Sequence, residues 1–152
     1  MRFVATTIVV SALTLSLFCA RAFAIDDRIV DAQTMAALMA KADQAQPKEQ
    51  CFLYAELVHQ MTELAGQQFS SGDVDRASAT IVLVQKYAEK IHMGVADDAK
   101  KLKNAEQLLR HTSFRLTGIL EAASYDDREA LHATLKQLEQ VQTELMMQVF
   151  KK

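Results

Sequence analysis

One proline, Pro47, and four glycines, Gly66, Gly72, Gly94 and Gly118, are the only strong helix breakers in 152 residues. Between them the chain is rich in Ala, Leu, Gln, Glu and Lys, and no alternating run bounded by turns marks a strand. The fold class that follows is all-α. Apolar residues recurring at three and four then place the helices. A first runs from Asp27 to about Asp43, with Ala32, Met35, Ala36, Met39 and Ala42 along one side. Pro47 separates it from a second, Lys48 to Ser70, whose inner face holds Cys51, Tyr54, Ala55, Val58, Met61 and Ala65. In the turn that follows, Gly72 supplies the left-handed position and Asp73 the next cap.

From Val74 the spacing runs through Ala77, Ile81, Val84, Ala88 and Ile91 to Val95. It resumes in phase at Leu102, Ala105, Leu109, Thr112, Leu116, Ile119 and Ala123. Phase continuity predicts one third helix over 73–124, about 75 Å long and continuous or merely kinked near Gly94; the alternative is a break there, with Gly94 ending one helix and Asp97 or Asp98 capping another. A break there would make five helices. "SYDDRE" ends this segment, with Asp126 or Asp127 as cap for a last helix to about Phe150, facing inward through Leu131, Leu135, Leu138, Val141, Leu145 and Val149. The expected architecture is an antiparallel bundle of about four helices in a single domain, residues 25–152.

Residues 1–24 read as a cleaved signal peptide. Arg2 precedes a charge-free run from Phe3 to Phe18, too short to span a bilayer, and Ala22-Phe23-Ala24 offers the small-x-small cleavage pattern. Cys19 follows the bulky Phe18, which argues against a lipoprotein. Cleavage after Ala24 would leave no stable membrane anchor and send the protein to the periplasm or outside the cell. Cys51 would then be the only cysteine, so packing and not an internal disulfide must hold the fold. Loss of Arg2 and Arg21 leaves 15 basic against 19 acidic residues, a net charge of −4. An exported, acidic protein is a poor partner for nucleic acid.

Three histidines follow a glutamate at three residues: Glu56–His59, Glu89–His92 and Glu129–His132. Such pairs on bundle helices can build di-metal carboxylate centres when they point inward. Helical phase turns most of them outward. Glu56 and His59 fall about 150° from the second helix's apolar face, and Glu89, Glu129 and His132 lie more than about 110° from their own seams. A periplasmic metal- or haem-binding bundle is therefore the alternative reading. No cofactor motif, haem attachment motif, phosphate loop or nucleophile elbow appears. The preferred expectation is a non-enzymatic interaction or scaffold protein, its partner another protein or a second copy.

The best candidate for a partner site lies in the basic stretch after Asp98. With Leu102, Leu109 and Leu116 as the seam, Lys103 and Arg110 point away from it, while Lys101 and Arg115 flank the core. Phe114 falls about 170° from the seam, in line with both far-side cations and with Gly118. A large aromatic there is either core beneath another helix or an anchor for a partner.

Overall fold

The computed structural model describes residues 32–91 and 99–150. They form five α-helices: α1 (Ala32–Gln44), α2 (Pro47–Ser70), α3 (Val74–Ile91), α4 (Ala99–Ala122) and α5 (Tyr125–Phe150). Among the described residues there is no strand. Pro47 opens α2 where its missing N–H costs nothing. Gly72 closes it at φ +79°, the Gly72 N–H reaching the Phe69 carbonyl and the Asp73 N–H that of Gln68. Asp73 then leads α3, whose Ala77 N–H bonds the Asp73 carbonyl. The last helix starts one residue before the predicted aspartate caps. There Ser124 Oγ donates to Asp127 Oδ2 at 2.6 Å, leaving Asp126 and Asp127 in a first turn where the helix dipole favours them.

The predicted long third helix is two helices running in opposite directions. Thr80 of α3 donates to Gln68 Oε1, while Ile119 of α4 packs on Gly66, so residues 39 apart in sequence lie at one level of α2. At the other end Lys90 and Lys101 both lie by the start of α2, paired with Asp43 at 2.7 Å and Glu49 at 2.8 Å. A continuous helix would hold Thr80 and Ile119 about 58 Å apart. The phase argument failed because Ile91 and Leu102 are eleven residues apart, three helical turns to within about 20°. Gly94 itself lies outside the described residues.

The contacts give the topology. Glu49–Lys101, His59–Thr112, Glu63–Arg115 and Gly66–Ile119 ascend together, so α2 and α4 are parallel. Ser78 meets Asp127, and Gln85 donates to Thr134 at 2.7 Å, so α3 and α5 are parallel as well. α2 with α3, and α4 with α5, are antiparallel hairpins set side by side, with α1 packed on α2. Among the described residues the backbones of α3 and α4 stay apart, as do those of α2 and α5; each pair holds opposite corners.

The core is the predicted seam, with Leu57, Met61, Ile81, Leu109, Leu116, Leu131 and Leu138 among its fully buried side chains. Ala36 and Val74, read as inward, are exposed, because α1 packs along α2, with α3 meeting it near Asp43 at its C-terminal end, and Val74 starts a helix at the bundle's end. Lys90 fastens α1: its ammonium pairs with Asp43 and lies 5.3 Å from the Tyr54 ring centroid and 4.9 Å from that of Tyr87.

Candidate functional site

α2 supplies buried residues round most of its circumference because α1, α3 and α4 all pack on it. This changes the reading of its Glu-x-x-His pair. His59, predicted on a solvated face, is half-buried on the α2–α4 seam, its Nδ1 3.0 Å from Thr112 Oγ1. The Thr112 hydroxyl proton goes to the Leu108 carbonyl at 2.8 Å, so Thr112 accepts and His59 Nδ1–H donates. Burial pulls the His59 pKa below its ordinary 6.5; Glu63 and Glu56 oppose the shift and His111 adds to it.

The sign of the pH dependence follows. The unfolded chain takes up this proton first, so the contribution is complete above about pH 6.5 and is lost as pH falls through the lower folded value. Thermal melts should show stability falling from pH 7.5 to pH 5, with His59→Gln flattening that slope. An unchanged slope in the variant would remove His59 as its source.

The other pairs stay at the surface. Glu89, Glu129 and His132 are exposed, and His92 lies outside the described residues. Among the described residues no three His, Cys, Asp or Glu side chains gather as a metal ion would require. Cys51 is 1 % exposed, and burial pushes its thiol up to about 11, so no reactive thiolate is available at neutral pH. No described helix is long and apolar enough to cross a membrane.

Of the predicted partner residues, the structure brings Lys103 and Arg110 to one groove and sets Phe114 one turn beyond it. The groove, of about 390 Å³, runs between α4 and α5 and is walled by Met146, Val149 and Phe150. At its floor Glu106, 9 % exposed, accepts from Arg110 Nη2 at 2.8 Å and from Gln142 Nε2 at 3.2 Å. Both carboxylate oxygens are thus occupied, and Arg110 keeps further N–H groups for an outside acceptor. Phe114 is 82 % exposed and Phe150 77 %. The alternative of Phe114 as core does not hold. Lys101 and Arg115 instead tie α4 to α2 through Glu49 and Glu63, as their flanking phase implied.

Sequence reasoning missed Glu106, Gln142, Met146 and Phe150, whose juxtaposition depends on the register of α4 against α5. The one legible signal was Glu106, an acid four residues before Arg110 that falls between it and the Leu102–Leu109 seam.

A second cleft, of about 550 Å³, opens at the turn end of the bundle between Gly66, Phe69, Arg115, Gly118 and Asp127. A Cβ on Gly118 would meet nothing within 4 Å. Gly118→Ala should therefore stabilise the fold by about 0.5–1 kcal/mol, the mid-helix difference between the two residues. Urea unfolding checks this, and a loss of stability would mean the cleft is tighter than described. The chain matches no protein-family model, no curated protein and no solved structure.

Proposed function

We propose that the protein is exported and acts without catalysis, as an interaction module that docks a protein partner on the outer side of α4 and α5 through Lys103, Arg110 and Phe114. The observation that carries this reading is Phe114, 82 % exposed beside an apolar groove rimmed by two cations. Solvent-facing aromatics of this size next to arginine are the usual anchors of protein interfaces. Export rests on the N-terminal pattern, and the intact mass of the purified protein should begin at Ile25.

Docking is tested by a photo-crosslinking side chain placed at Phe114 or, as an exposed control, at Val82 of α3, which is 62 % exposed. In the native compartment, position 114 should give a discrete adduct that position 82 does not. Identical patterns at both, or none at 114, would refute the reading. The rival is a bundle that holds metal or haem. Stoichiometric transition metal or a Soret band in the purified protein would replace the present reading with that one.

A further inference from the structure

Resting on the docking surface just proposed, we infer that its occupant is an amphipathic helix with an acidic flank, laid along the α4–α5 groove with its apolar side on Phe114, Met146 and Phe150. Three features point there. The groove lies between two antiparallel helices, and such a furrow accepts the side-chain ridge of a third helix; among the described residues no strand edge is open to receive an extended peptide. Gln142 lies level with Glu106, so Phe150 and Phe114 stand roughly 20–24 Å apart along the bundle, about four turns of a docked helix. Its rim carries the opposite charge to the chain as a whole. Lys103 makes no ion pair among the described residues, and Arg110, 63 % exposed at its side chain, gives one N–H to Glu106 and has others to offer.

Charge also separates this occupant from its rivals. A second copy joined through the same face would bring two like-charged Lys103–Arg110 rims together across the two-fold axis. A long polyanion would meet Glu139 and Glu144, which line a separate depression on the outer face of α5. A bilayer surface could take Phe114 but could not enter a concave groove with the Glu106 carboxylate at its floor. A helix of about four turns with a few carboxylates on one flank meets each of these constraints.

The test uses the full mature chain and two synthetic helical peptides. Both carry leucine at i, i+3, i+4 and i+7; one has glutamate at its flanks and the other lysine. Fluorescence anisotropy should show saturable binding of the acidic peptide and at least about tenfold weaker binding of the basic one. Phe114→Ala should weaken the acidic peptide by about tenfold or more, as loss of an anchor does. Lys103→Glu should narrow or invert the preference without orphaning Glu106. Unfolding curves of both variants should match the parent, because both side chains are exposed, and Val82→Ala should leave binding unchanged.

Equal affinity for the two peptides, or no binding of either, overturns the acidic-helix assignment. Preferential capture of phosphatidylglycerol vesicles, or dimerisation that Phe114→Ala abolishes, overturns it in favour of those occupants. An adduct at position 114 without peptide charge selectivity removes this partner class alone. A failure of both experiments removes the docking surface as well.

Discussion

Leu109→Ala should cost about 2–5 kcal/mol of unfolding free energy. Leu109 is completely buried in α4, the helix that packs against both α2 and α5. Alanine favours the helix, so the loss comes wholly from packing: the transfer energy of the removed carbons and the void they leave. A domain of this kind has about 5–15 kcal/mol in reserve, so the variant should stay folded in buffer but unfold at clearly lower urea. An unchanged slope of free energy against urea would confirm that the native fold is retained. Near-neutral behaviour would mean that Leu109 does not sit at the junction of the two hairpins.

The second large effect concerns how closely those hairpins approach. A Cβ at Gly66 would lie 3.1 Å from Ile119 Cδ1 and 3.4 Å from Arg115 Nη2. Gly66→Ala asks Ile119 to move by a few tenths of an ångström, and its gain in helix propensity offsets much of the strain. Gly66→Leu has no such escape. It must push α4 off α2 or force Ile119 from its rotamer, at about 1–3 kcal/mol. Adding Ile119→Ala should recover part of that loss, so the double variant should be more stable than the sum of the single changes implies. Strict additivity would show that the two residues do not meet.

These two positions also show which parts of the fold the sequence could and could not convey. Leu109 was legible because burial follows three-four spacing, and nearly all of the α2, α4 and α5 seam residues are buried or half-buried as read. The approach of Gly66 to Ile119 was not, because it needs α4 parallel to α2, and periodicity says nothing of direction. The same blindness produced the single long helix. Two helices whose seams resume after eleven residues keep phase whether or not the chain reverses between them. His59 was misplaced for another reason: a helical wheel assumes one buried face, and α2 has three neighbours. At the candidate site, phase alone set Lys103, Arg110 and Phe114 away from the α4 seam. The groove needed α5, whose Met146 and Phe150 look like stray surface residues until the register joins them to Arg110.

The reversal between α3 and α4 underlies both the bundle and the α4–α5 groove, and one distance measures it. Ala79 of α3 and Glu121 of α4 are both exposed, so each can carry a nitroxide on an introduced cysteine. Cys51, 1 % exposed with its thiol pushed up to about 11, should stay unlabelled. Two helices at opposite corners of the bundle, with both sites at the level of the α2 C-terminus, should give an electron–electron distance of roughly 30 Å. A single helix through residues 74–122 would place the labels about 63 Å apart, and a distribution centred there would contradict the account.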